Sequence, residues 1–174
     1  MAGSTGLVLQ SSYATFSAQT STPSFNWTTG TVALTNDSAG TAAVDLSNQR
    51  PGGPTLTKCI NVTSTGSTPS AVKFYTSVTG DPTLPTYINV TITAGLANST
   101  CSSFNAGSTL FTGTLAGLSV YQNYGNGLST GWAPTGSASE TRAYQFVVGL
   151  AAAAPNSTEG TSTSASFTWE AQNT

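Results

Sequence analysis

Between clusters of turn-forming residues, this chain repeatedly alternates apolar and polar side chains with a period of two. Val72, Phe74, Thr76 and Val78 alternate with Lys73, Tyr75 and Ser77. Ile88, Val90 and Ile92 alternate with Asn89, Thr91 and Thr93, and Tyr144, Phe146, Val148 and Leu150 with Ala143, Gln145 and Val147. Leu56, Lys58, Ile60 and Val62 share one face with Cys59 on the other, and Phe167 shares a face with Trp169. A period of two places successive side chains on opposite faces of a strand, one toward a core and one toward water. Further strand-like runs at residues 31–34 and 42–46 end at Asn36-Asp37 and at Arg50-Pro51-Gly52-Gly53-Pro54. About eight short runs at this spacing predict an all-β sandwich or jelly roll.

No convincing helical pattern interrupts them. Residues 110–118 suit a short strand or a single helical turn, and residues 151–154, alanine-rich and stopped by Pro155, lead a strand into a loop. Residues 119–139, rich in Gly, Asn and Ser, read as a long surface excursion. One domain with a proper core fits the 174 residues.

The chemistry available to this chain is sparse. It has no histidine, ten charged residues (four basic, six acidic), and Ser or Thr at about one position in three. General acid–base and nucleophilic catalysis lean on His, paired carboxylates or an activated Lys. We therefore expect no enzyme, no catalytic residue, no metal and no cofactor. Asp37, Asp45, Asp81, Glu140, Glu159 and Glu170 show no pairing that suggests acid–base work, and solvation in loops or at strand edges is the better reading. Lys58 or Lys73 with a nearby Asn could form an isopeptide bond, but a lysine at a strand edge is the better reading here too. A net charge of −2 offers no basic surface for nucleic acid or anionic lipid.

Two cysteines, Cys59 and Cys101, in a chain this poor in charge suggest one disulfide and an oxidising compartment. Closing that loop contributes roughly 4 kcal/mol in the chain-entropy model. No stretch reaches the roughly 18 apolar residues of a membrane span. Residues 6–9 are too short for a secretory apolar core, and residues 1–12 do not make a full signal peptide. N-x-[ST] sequons at Asn26, Asn36, Asn61, Asn89, Asn98 and Asn156 suit a secreted, surface-exposed chain.

Two segments invite a binding role. Residues 5–18 form an apolar-to-polar arm in which Leu7, Val8 and Leu9 precede Tyr13 and Phe16. Left alone, these side chains would be exposed ahead of the first core strand. Trp132, with Tyr121 and Tyr124, could form a sugar-stacking platform, although packing of these aromatics onto the sandwich is favoured.

In chain order, Tyr13-Ala14-Thr15-Phe16-Ser17, Arg50-Pro51-Gly52, Thr109-Leu110-Phe111-Thr112-Gly113-Thr114-Leu115-Ala116, Glu140-Thr141-Arg142-Ala143-Tyr144-Gln145-Phe146 and Ala165-Ser166-Phe167-Thr168-Trp169-Glu170-Ala171-Gln172 resemble stretches of the TasA/camelysin family of secreted bacterial fibre proteins. Tyr13-Ala14-Thr15-Phe16-Ser17 and Trp27-Thr28-Thr29-Gly30-Thr31-Val32-Ala33-Leu34 are similar to its opening, A-x-F-S then F-x-A-G-T-L-x-L. Arg50-Pro51-Gly52 and Lys58-Cys59-Ile60-Asn61-Val62-Thr63 resemble its P-G then I-x-V-x-N-x-G strand. Thr109-Leu110-Phe111-Thr112-Gly113-Thr114-Leu115-Ala116 resembles x-L-Y-x-G-x-L, and Glu140-Thr141-Arg142-Ala143-Tyr144-Gln145-Phe146 resembles G-E-x-x-x-Y-x-F. The ending Ala165-Ser166-Phe167-Thr168-Trp169-Glu170-Ala171-Gln172 resembles A-x-F-x-W-x-A-Q. The cysteine pair and Trp-rich ending look like actinobacterial versions.

The resemblance implies a jelly roll secreted to the cell surface or biofilm matrix. It also implies fibres built by donor-strand exchange, in which one subunit's arm completes the next subunit's sheet. On that basis residues 1–18 are expected to be the donor arm, polymerising through Leu7, Val8, Leu9, Tyr13 and Phe16, and residues 19–174 a single jelly-roll domain. The partner is then a further copy of the chain, with matrix polysaccharide as a possible second partner. Some family members have been described as metalloproteases; without histidine or a carboxylate cluster that activity is not carried over. The competing expectation is a secreted carbohydrate-binding module using Tyr121, Tyr124 and Trp132.

Overall fold

A computed structural model describes residues 17–19, 31–38, 49–96 and 100–174. The strand at residues 42–46, the arm residues Leu7, Val8, Leu9, Tyr13 and Phe16, Trp27, Asp45, and the sequons at Asn26 and Asn98 lie outside the described residues. Nine strands are described: β1 (Ser17–Gln19), β2 (Leu34–Asn36), β3 (Leu56–Ser64), β4 (Ser70–Gly80), β5 (Ile88–Gly95), β6 (Ala106–Thr114), β7 (Leu128–Trp132), β8 (Glu140–Leu150) and β9 (Thr163–Asn173). All pair antiparallel, in two sheets that share one core. Sheet A has the order β1-β9-β4-β7 and sheet B the order β2-β3-β8-β5-β6. The pairs β5–β6, β4–β7, β3–β8 and β1–β9 nest inside one another along the chain.

The expected alternation is what buries the core. On β4, Val72, Phe74 and Thr76 are buried and Lys73 and Tyr75 only half-buried. On β5, Ile88, Val90 and Ile92 are buried, and on β8, Tyr144, Phe146 and Val148. Facing aromatics from both sheets make the centre. Phe74 meets Trp169 edge-on at 5.2 Å between ring centroids, Tyr144 lies 5.3 Å from Trp169, and Phe146 lies 5.0 Å from Phe167. Such pairs add about 0.5–1.5 kcal/mol beyond the area they bury. Leu56, at the start of β3, ends up exposed although it shares a face with buried Ile60 and Val62.

Hydroxyls take the place of charge inside. Buried Thr76 donates from Oγ1 to Ser166 O at 2.7 Å, and buried Thr130 donates to Val72 O at 2.6 Å. A buried hydroxyl with its bond made is tolerable; without one it costs roughly 1–3 kcal/mol. Two core atoms, Trp169 Nε1 and Tyr144 OH, are buried with no hydrogen-bond partner among the described residues. Desolvation drives the Tyr144 phenol far above the ordinary tyrosine range. Thr130 lies close enough to temper that shift without making a well-formed bond to it.

The region expected as one long surface excursion contains β7. Its five residues alternate, Thr130 and Trp132 buried and Ser129 and Gly131 exposed, and the Thr130 hydroxyl ties β7 to β4. Residues 110–118 hold both expected alternatives in succession: β6 runs to Thr114, whose Oγ1 then accepts from Gly117 N at 3.1 Å and caps a single turn, α1 (Leu115–Leu118). Leu115 and Leu118 anchor that turn in the core. β8 ends at Leu150, and residues 151–154 turn away from it, as expected.

Cys59 on β3 and Cys101, in a 3-10 turn between β5 and β6, form a disulfide with Cα atoms 5.3 Å apart. Because β8 lies between β3 and β5 in sheet B, the bridge laces the β5–β6 connection back across β8. Gln145 of β8, facing the same side, approaches the Cys59 sulfur at 3.9 Å.

Candidate functional site

The two flanks of sheet A carry the features that bear on association. At one flank, β1 pairs with the end of β9, Ser17 opposite Gln172 and Gln19 opposite Glu170. The chain thus enters sheet A at the pole where β9 ends and β4 begins.

At the other flank the sheet is incomplete. β4 pairs with β9 along its whole length, Ser70 opposite Asn173 through Gly80 opposite Thr163. With β7 it pairs only at Val72, Lys73 and Phe74. In a strand, the N–H and C=O of alternate residues point to the same edge. On β4 the even-numbered residues face β7: Ser70 N donates to Pro134 O at 3.0 Å, and Thr76 N donates to Tyr121 O at 2.8 Å. By the same alternation the main-chain groups of Val78 and Gly80 face outward there, and among the described residues no strand pairs with them.

That bare stretch borders a half-open cleft of about 510 Å³. Its walls are β4 from Thr76 onward, the Asp81-Pro82 turn with Pro85, and Ala116, Ser119 and Gln122 from the α1 side. The turn is held in shape by Asp81, whose Oδ1 accepts from Thr83 N at 2.8 Å and Leu84 N at 2.7 Å. Val120, beside this wall, is 58% exposed. Val78 packs against the core but is only partly buried.

The three candidate ligand aromatics lie near β4 and β7, each engaged in packing. Trp132 is 5% exposed and belongs to the core. Tyr121 meets Phe111 edge-on at 6.4 Å. Tyr124 donates from its hydroxyl to Ala71 O at 3.0 Å, and its ring carries Lys73 Nζ at 4.9 Å from the centroid. Stacking a sugar needs an open aromatic face, and Trp132 has none to offer.

The carboxylates of Asp37, Asp81, Glu140 and Glu170 are dispersed and hydrogen-bonded. Asp37 accepts from the Asn61 side chain at 2.9 Å and from Asn61 N at 3.1 Å, so the Asn61 sequon amide is engaged, whereas Asn89 and Asn156 are exposed. Glu140 accepts from Thr135 N at 2.6 Å and Thr135 Oγ1 at 2.8 Å, and these bonds hold its carboxyl below the usual carboxylate value. Glu170 departs from the expected solvated edge: it is 6% exposed on the outer face of sheet A, accepting from Tyr75 OH at 2.8 Å and from Gln172 Nε2 at 2.9 Å. Burial, then the bond to Glu170 and its charge, push the Tyr75 phenol well above the ordinary range. Burial and the same carboxylate raise Tyr124. Tyr75, on the neighbouring strand β4, helps to cover Glu170, which a single-strand pattern does not carry.

Among the described residues no three His, Cys, Asp or Glu side chains come together to hold a metal ion. No described helix is long and apolar enough to cross a membrane. No protein-family model matches the chain, and no curated protein matches it significantly.

Proposed function

We propose that this chain is a structural, non-enzymatic subunit of a secreted protein filament, on a cell surface or in a biofilm matrix. In this reading the domain is a jelly roll that polymerises head to tail by exchange of its N-terminal arm, through Leu7, Val8, Leu9, Tyr13 and Phe16. The nested pairing of β1–β9, β3–β8, β4–β7 and β5–β6 supports the jelly roll, since rolling one long hairpin generates that order. The observation that carries the assembly reading is the conjunction of an uncharged apolar arm with a sheet whose fourth strand, among the described residues, covers only part of β4. Exposed strand edges are templates for another chain, and added strands bring main-chain hydrogen bonds with alternate side chains in pockets. The disulfide is compatible with an oxidising, extracellular setting.

Negative-stain electron microscopy of the purified chain beside a variant lacking residues 1–16 tests the reading. Filaments from the full chain and single particles from the truncated one are expected. Single particles from both, or filaments from both, would sink it.

A further inference from the structure

We propose that the acceptor for the arm is the edge of β4 at Val78 and Gly80, with the cleft beside it, and that the occupant is the arm of a second copy of this chain. The inference rests on the donor-strand reading above and assigns its missing half.

Other edges are poorer acceptors. β2 and β1 are three residues long, and the outer edge of β6 begins with four exposed residues, Ala106 to Thr109. β4 is different because it is a central strand of sheet A whose partner stops short. A strand laid along Val78 and Gly80 would continue the line of β7 and pair main-chain groups that face the cleft.

The cleft suits the arm in character. Val78, Pro82, Pro85 and Ala116 make its apolar lining, and its one carboxylate, Asp81, is engaged by main-chain N–H groups. Residues 1–16 contain no charged side chain, so inserting them desolvates no ion. In an extended strand Leu7 and Leu9 fall on one face and Val8 on the other. Leu7 and Leu9 can then cover half-buried Val78 from between the sheets.

The attachment point of the arm and the cleft are well separated along the sheet. Ser17 joins the sheet at the level of Gln172 and Ala71. Val78 lies seven residues further along β4, about 24 Å at roughly 3.4 Å per residue, toward the opposite pole. β1 runs antiparallel to β9, so its first residue, Ser17, lies toward the pole where β9 ends. Donor and acceptor therefore sit at opposite poles, and a contact of that kind repeats without closing.

The test uses the full chain and three variants, each checked by circular dichroism melting. Ala116→Trp fills the cleft; Leu7→Asp with Leu9→Asp breaks the arm. Ser108→Trp fills a separate cleft of about 220 Å³ between β6 and β7 as a control. Expected are filaments from the parent and the control, and folded monomers from the cleft and arm variants. Mixing those two monomers should then double the mass to a dimer by light scattering, as the intact arm of one enters the intact cleft of the other. Filaments from Ala116→Trp, with the arm variant monomeric, would overturn the cleft assignment and leave donor-strand exchange standing. Filaments from the arm variant would overturn donor-strand exchange itself. Two monomers that do not combine would overturn the assignment, because the cleft substitution must then act in some other way.

Discussion

The two sheets complete themselves to different degrees. In sheet B the central strand β8 is flanked by β3 from Leu56 to Ser64 and by β5 from Ile88 to Gly95, so every residue of it is paired on at least one side and Ala143 to Val148 on both. In sheet A, β4 has a full-length partner in β9 but only a three-residue one in β7. Both sheets face the same aromatic core. The difference is thus not one of hydrophobicity but of strand length. Sheet B makes a finished wall, and sheet A leaves one corner of the sandwich open beside Val78.

If that contrast is real, substitutions should cost most where both walls are complete. Phe146→Ala, at the fully buried centre of sheet B, should lose about 3–5 kcal/mol, read as a shift in the urea midpoint; a loss under 1 kcal/mol would mean the finished wall is not the stable one. Opening the Cys59–Cys101 bridge with paired serines should cost about 4 kcal/mol in the chain-entropy model, since the bridge closes a separation of 42 residues. The same denaturation series measures it. Across β4 the contrast can be sharpened within one strand. Val72→Ala, buried between two paired neighbours, should cost about 2 kcal/mol, and Val78→Ala, beside the open edge, about half as much. Equal losses would say that Val78 is already covered.

The smallest effect concerns pH. The carboxyl of Glu140 is held below the usual carboxylate value by Thr135, so its folded pKa lies under the unfolded one. Its stabilisation is complete above the unfolded value and is lost as pH falls through the folded one. Glu140→Gln should flatten that acid limb of the stability profile slightly and leave the neutral region unchanged. Because the group is largely solvated, only a small change is expected.

The elements legible from sequence are those with one dry face over many residues. β3, β4 and β5 bury alternate side chains, as β8 does from Tyr144 to Val148, and burial on one face forces period two into the sequence. The cysteine pairing was equally legible, because two cysteines allow one bridge. β7 was not: it is short, Gly131 breaks it with a positive φ of 66°, and its attachment depends on a threonine hydroxyl rather than on apolar alternation. The buried Glu170 and the cleft were hidden for a related reason. Both are created by what an adjacent strand does or fails to do, and no local pattern encodes a neighbour's length.

One consequence of the β4–β9 ladder is temporal. The Thr76 hydroxyl is satisfied by Ser166, 90 residues later in the chain. At about 5–20 residues per second, a ribosome takes on the order of ten seconds to supply that partner. During that interval a growing chain carries β4 without its β9 partner, and until β7 emerges without either neighbour, with little charge nearby to discourage pairing. Strand pairings of such long range also form slowly once the chain is complete. The unfinished chain therefore depends on being kept apart from its siblings until β9 has arrived.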